Sequence, residues 1–184
     1  MFLYLHGFRS SPQSTKAQQF RQWLAERGRE AEWVCPAISY DPQQAIEQLS
    51  AIINNSDVEP KLVGSSLGGF YATVLSAHYD LKAVVINPAV HAGLVLRAAI
   101  GPQRGWHDDE SFEFTQAHVD ALNAMDLLAP KYPEKILLMQ ESGDEVLDWR
   151  TAADFYRDSH QLVFRGGDHS FTRFEDVIAL IDRF

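Results

Sequence analysis

Gly64-Ser65-Ser66-Leu67-Gly68 decides the reading of this chain. The pentapeptide is a G-x-S-x-G. It follows the apolar run Lys61-Leu62-Val63 and leads into Gly69-Phe70-Tyr71-Ala72-Thr73-Val74-Leu75, which reads as a helix. Strand, sharp turn and helix form the context of a nucleophile elbow, in which the middle serine, here Ser66, sits at the tip of a strained turn with its hydroxyl exposed. A side chain at Gly64 or Gly68 would collide with the neighbouring strand or helix as the chain doubles back. The pattern is short, and a glycine-rich turn without chemistry would also produce it. Its context and its partners elsewhere in the chain weigh against that.

Working outward, strands and helices alternate on both sides of the elbow. Upstream, Phe2 to Leu5 is a continuous apolar run, as expected of a strand covered on both faces. Ser14 is placed to cap a helix in which Ala17, Phe20, Trp23 or Leu24, and Arg27 recur at helical spacing, with Gly28 at its stop. Glu32 to Cys35 reads as a second strand. Asp41-Pro42 starts a helix with the apolar stripe Ala45, Ile46, Leu49, Ile52 and Ile53. Lys61 to Ser65 is the third strand, and the elbow helix runs to about His78.

Downstream, Ala83 to Ile86 is the fourth strand, closed by Asn87-Pro88. Pro88 to Glu134 shows no strand signal and reads as a lid-like insertion with helices near Ala92 to Ile100 and Thr115 to Leu128. Its Trp106, Phe112 and Phe114 are suited either to lining a pocket or to pinning the insertion to the body. The sheet resumes at Lys135 to Gln140. A helix at Trp149 to Arg157, a strand at Gln161 to Phe164 and a helix carrying Phe174, Val177, Ile178, Ile181 and Phe184 complete the order. The expected architecture is one α/β domain over residues 1–184, with a mostly parallel sheet, right-handed crossovers, and the insertion at about 88–134.

Composition narrows the function classes. The 184 residues carry a formal net charge of −9, which disfavours nucleic acid and anionic membranes as partners. Asp108, Asp109, Glu110 and Glu113 cluster in one polar stretch that reads as a solvated loop rather than a metal site. The single cysteine, Cys35, excludes an internal disulfide framework and reads as a small buried hydrophobe. No basic, apolar leader precedes the first strand and no apolar run has the length of a membrane span, so a cytoplasmic protein is expected.

In an open parallel sheet the functional loops gather at the carboxyl ends of the strands. A serine hydroxyl needs a base within hydrogen-bond reach. His169 is the candidate, because it lies in the loop after the last strand, beside Gly166-Gly167. An acid must orient the base. Asp144, in the loop after the penultimate strand, is the first choice, Asp148 the second and Glu145 a weaker third. Asp168 adjoins His169 and points elsewhere. The chain order Ser66, Asp144, His169 is the one expected of an α/β-hydrolase. Two backbone donors must face the developing oxyanion: the Leu67 amide is one, and the Phe8 amide, in the loop His6-Gly7-Phe8, is the other.

These segments carry a resemblance. Tyr4-Leu5-His6-Gly7-Phe8 with Ser10-Ser11-Pro12, Gly64 to Thr73, Asn87-Pro88-Ala89-Val90, Gly143 to Asp148 and Gly167 to Phe171 stand in the order and context of the α/β-hydrolase superfamily. More narrowly, the chain resembles the YqiA-like family of small bacterial esterases. The resemblance implies a Ser66-Asp144-His169 triad and hydrolysis of short acyl esters, with acyl-CoA thioesters also considered. The two strands that open larger hydrolases are absent, which leaves about six.

The expected activity is that of a serine esterase acting on a small-molecule ester through an acyl-enzyme, needing no metal or organic cofactor. A thioesterase with the same triad is the alternative, with Arg9, Arg97 and Arg104 available for the phosphates of a CoA substrate. A non-catalytic binding module on the same fold is the third reading. Oligomeric state is not legible.

Overall fold

The computed structural model describes residues 1–106 and 111–184. Three members of the acidic cluster, Asp108, Asp109 and Glu110, lie outside the described residues, while Glu113 is exposed.

Six strands form the main sheet: β1 (Phe2–Leu5), β2 (Trp33–Val34), β3 (Lys61–Ser65), β4 (Ala83–Ile86), β7 (Ile136–Glu141) and β8 (His160–Phe164). Their spatial order is β2-β1-β3-β4-β7-β8, and every pairing is parallel. Two further strands, β5 (Gly101–Arg104) and β6 (Ser111–Phe114), make a separate antiparallel ribbon. The helices are α1 (Thr15–Ala25), α2 (Pro42–Asn54), α3 (Leu67–Tyr79), α4 (Ala92–Leu96), α5 (Gln116–Met125), α6 (Trp149–Phe155) and α7 (Phe174–Arg183).

Strand alternation divides the core into two. Leu3 and Leu5 of β1 face one way, into a cluster with Ala45 and Leu49 of α2, Phe70 and Leu75 of α3, Leu122 of α5 and Ala152 of α6. Phe2 and Tyr4 face the other way, against Ala17, Phe20 and Leu24 of α1 and Phe174, Ile178 and Ile181 of α7. With helices on both faces, the central strands are buried throughout, which is why they read as unbroken apolar runs. Helix α3 is buried around most of its circumference between the sheet and the elements that cover it. Helix α2 starts as its sequence implies: the Asp41 carboxylate accepts from the Gln43 and Gln44 amides, and Pro42 occupies the first turn.

The β5–β6 ribbon corrects the expectation that 88–134 holds no strand. Pro102 and the four-residue length of each strand mask the signal. Phe112 and Phe114, two residues apart, carry the strand period; both turn toward Phe8, at ring-centroid distances of 5.9 and 5.0 Å. The expected helix at 92–100 is α4 followed by a 3-10 turn at Arg97–Ala99. Ser14 stands at the N-cap of α1 without making a capping bond, and its hydroxyl is buried with no partner among the described residues. Among the described residues no helix is long and apolar enough to cross a membrane.

Chain direction fixes where the loops meet. From β1 the chain passes outward to β2, then returns to lay β3 on the other side of β1. The carboxyl ends of β1 and β3 therefore flank a topological switch point, where a crevice opens.

Candidate active site

The turn after β3 places Ser66 in that crevice. Ser66 has φ +55° and ψ −120°, a conformation a non-glycine residue rarely holds. The bonds around it hold it there: its amide donates to the Ile86 carbonyl at 3.0 Å, and its carbonyl accepts from Gly69 and Ala89 at 2.9 and 3.0 Å. Two glycines make the turn sterically possible. A Cβ on Gly64 would run into the Gly68 carbonyl, and one on Gly68 into the Leu5 carbonyl.

His169 reaches Ser66 from the loop after β8. Its Nε2 lies 3.1 Å from Ser66 Oγ, and its Nδ1 lies 2.8 Å from Asp144 Oδ2. With Nδ1–H donating to the carboxylate, Nε2 is bare and accepts the serine hydroxyl. The Asp144 side chain is fully buried, and its Oδ1 accepts from the Val146 and Leu147 amides at 2.9 and 2.8 Å. Burial pushes this carboxyl upward, but the bonds from His169, Leu147 and Val146 outweigh it and hold Asp144 below the usual carboxylate range.

The other acids have separate duties. Asp148 caps α6 through the Arg150 amide at 3.0 Å. Asp168 turns to the Ser170 amide at 2.8 Å. The Glu145 carboxylate accepts from the His169 backbone amide at 3.0 Å, so it holds the histidine by its main chain rather than its ring.

Two buried side chains that sequence reading passed over hold the histidine loop. Asn87 donates from Nδ2 to the Asp168 and His169 carbonyls at 3.0 and 3.2 Å, and its Oδ1 accepts from the Glu141 amide at 2.9 Å. The Glu141 carboxylate, fully buried at the end of β7, accepts from the Asp168 and Thr172 amides, the Thr172 hydroxyl and, at 2.6 Å, Arg173 Nε. Burial raises this carboxyl and these donors lower it, with the net result below its ordinary value. Gly167 has φ +75°, and a Cβ there would also enter the Glu141 carboxylate, so both backbone and space call for glycine. The signals available in the sequence were Asn87 directly after a strand and Glu141 at the end of an apolar one.

The loop after β1 completes the crevice. A Cβ on Gly7 would stand 3.2 Å from Ser66 Cβ, so this loop packs directly against the serine. The backbone amides of Phe8 and Leu67 make no bond to a backbone carbonyl among the described residues. His6 is buried; its Nε2 accepts from the Ile38 amide at 3.1 Å, which leaves Nδ1–H to donate to the Gly7 carbonyl.

Of the insertion aromatics, Phe112 lines a cavity and stacks on Tyr40 at 4.4 Å. Trp106 is exposed and lines the cavity that holds Ser66, with the Arg9 guanidinium 4.1 Å from its ring centre, and Phe114 is buried as a pin. Burial pushes the Cys35 thiol up to about 12, away from the thiolate form that reacts. Among the described residues no three His, Cys, Asp or Glu side chains converge as a metal site.

Comparison with known proteins agrees with this architecture. The model of an uncharacterised protein family, UPF0227, matches residues 1–184. A UPF0227 protein of Pectobacterium carotovorum is 26% identical over 168 residues, covering 89% of this chain and 86% of its own. Among solved structures, the alpha/beta hydrolase domain-containing protein 10 from mouse superposes with a TM-score of 0.77 at 15% identity, over 99% of this chain and 88% of that one. Est1E from Butyrivibrio proteoclasticus, solved with ferulic acid bound, gives a TM-score of 0.75 at 13% identity, over 99% and 86%. The fold is that of the α/β-hydrolases.

Proposed function

The chain belongs to the UPF0227 family, and from that premise and the geometry of its crevice we propose that it is a serine esterase hydrolysing short-chain carboxylic esters through an acyl-enzyme. The observation that carries the reading is the relay of hydrogen bonds from Ser66 through His169 to the buried Asp144, at 3.1 and 2.8 Å.

In this mechanism Ser66 Oγ attacks the ester carbonyl while His169 Nε2 takes its proton. Asp144 stays ionised and stabilises the imidazolium that forms, as its lowered pKa favours. The Phe8 and Leu67 amides receive the oxyanion. His169 then passes its proton to the leaving alcohol, and the acyl group remains on Ser66. A water, deprotonated by His169, attacks the acyl-enzyme and releases the acid. The preference for a short acyl chain draws support from a cavity of about 70 Å³ bounded by Leu67, Tyr71, Phe8, Ile38, Tyr40 and Phe112.

A thioester substrate would use the same steps. Arg9 favours that alternative, since it lines this cavity, where it donates to the Arg104 carbonyl at 2.7 Å. Rates on matched oxygen esters and thioesters separate the two.

The test is turnover of short p-nitrophenyl esters by the wild-type protein and Ser66→Ala. The variant is expected to lose activity by roughly 10⁶-fold. Turnover near the wild-type rate in Ser66→Ala contradicts the mechanism.

A further inference from the structure

Two cavities meet at the Gly7-Phe8 peptide, and their chemistry differs. The smaller, described above, gathers Phe8, Ile38, Tyr40, Leu67, Tyr71 and Phe112, with Arg9, whose guanidinium is engaged by the Arg104 carbonyl, also in its lining. The larger, about 230 Å³ and open to solvent, holds Ser66 and His169 and is also lined by Ser10, Ser14 and Lys16. Nothing in the acyl-transfer steps uses these three residues.

Lys16 lies in the first turn of α1. Its ammonium donates to the Ser170 carbonyl at 2.7 Å, one residue from His169. An ammonium has three donors, and Lys16 forms no ion pair with a described residue. The carboxylates whose fields reach it, Asp168 and Glu141, are already engaged by the Ser170 amide and by Arg173, Thr172 and the Asp168 amide. Burial lowers the pKa of Lys16 more than those carboxylates raise it, as expected of a cation partly stripped of water with no carboxylate in contact. The N-terminus of α1 adds its partial positive charge at the same place, and the Ser14 side chain makes no capping bond that would engage those amides.

We infer that this cleft is a leaving-group subsite for a carboxylate: the alcohol part of the ester carries one negative charge, which Lys16 and the start of α1 receive. The inference rests on the esterase reading, because there His169 protonates the leaving oxygen and so the alcohol part lies on the histidine side of Ser66. The cavity past Leu67, where Phe8, Ile38, Tyr40, Tyr71 and Phe112 gather, then receives the acyl part. A single ammonium in a chain of net charge −9 matches a carboxylate better than a doubly charged phosphate.

The experiment compares kcat/KM for 4-acetoxybenzoate with that for the neutral 4-acetoxybenzamide, in the wild-type protein and in Lys16→Met. The ratio of the two is expected to fall about tenfold in the variant, and the wild-type ratio to shrink as salt is added. Intrinsic reactivity differences between the esters cancel in this comparison. A lysine with only a structural role would slow both esters alike, and an unchanged ratio overturns the subsite.

A second arm needs no turnover. Binding of 4-hydroxybenzoate to the Ser66→Ala protein, read by calorimetry, is expected to weaken about tenfold when Lys16→Met is added. Equal affinity, or no binding to either protein, overturns the subsite. Failure of the wild-type protein to hydrolyse either ester would instead contradict the esterase reading, and the calorimetry would still decide the subsite.

Discussion

At the scale of single residues, Glu141 carries as much of the site's geometry as Ser66, His169 and Asp144, the members of the proposed relay. A buried carboxylate is costly unless its lone pairs are met, and here the donors all come from the chain that flanks His169. Glu141→Gln removes the charge and leaves the Arg173 guanidinium, a third exposed, without its partner. Partial exposure of the arginine moderates the loss, so the variant is expected to be less stable by about 2 kcal/mol at neutral pH, measured by urea denaturation. The sign of the pH effect follows from the acidities. Asp144 and Glu141 are both more acidic in the folded chain than as free side chains. Their contribution is complete above the unfolded value of about 4 and drains away as pH falls through the folded values. Glu141→Gln should therefore lose less stability than the wild type between pH 5 and pH 2 (about 1 kcal/mol or more of difference); superimposable acid profiles would contradict this role. Ser66, Asp144 and His169 were legible as chemistry-bearing types at strand ends. Glu141 and Asn87 were not, because their importance lies in which groups they meet, and those contacts join positions 27 to 82 residues apart.

At the scale of elements, the β3–turn–α3 unit was readable because three constraints coincide there: an apolar strand, glycines where backbones nearly touch, and a helix that must be small-sided where it meets the sheet. Gly68→Ala tests the tightest of these. Its Cβ would meet the Leu5 carbonyl, a backbone atom that cannot rotate away. Thermal or urea unfolding should show a loss of roughly 2–3 kcal/mol, together with a disproportionate fall in kcat from the displaced serine. A fully stable, fully active Gly68→Ala would show that the turn has slack. The β5–β6 ribbon shows what hides an element from such reading. It is short, contains Pro102, and is held by aromatic contacts to Phe8 and Tyr40 from distant parts of the chain rather than by a pattern of its own. Ser14 shows the reverse error: the residue type suits a cap, yet the segment before α1 is organised by Ser11, which accepts from the Ser14 amide through its carbonyl and from the Gln13 amide through its hydroxyl.

At the scale of the molecule, strand order does the assembling. Because β1 and β3 are neighbours and the chain leaves β1 in the opposite direction, the loops after β1 and β3 face each other across the crevice. The loops after β7 and β8 reach it from the side, joined by Asn87 beyond β4. The order serine, acid, histidine along the chain is thus a consequence of the order of strands across the sheet, and this is why a fold could be read from motifs spread over the whole sequence. The central claim is that this convergence activates Ser66. Intact-mass measurement after treatment with a fluorophosphonate probe, followed by peptide mapping, tests it directly. The account predicts one label per chain, on Ser66, and its loss in His169→Ala; a folded protein that takes no label, or takes it elsewhere, would contradict it.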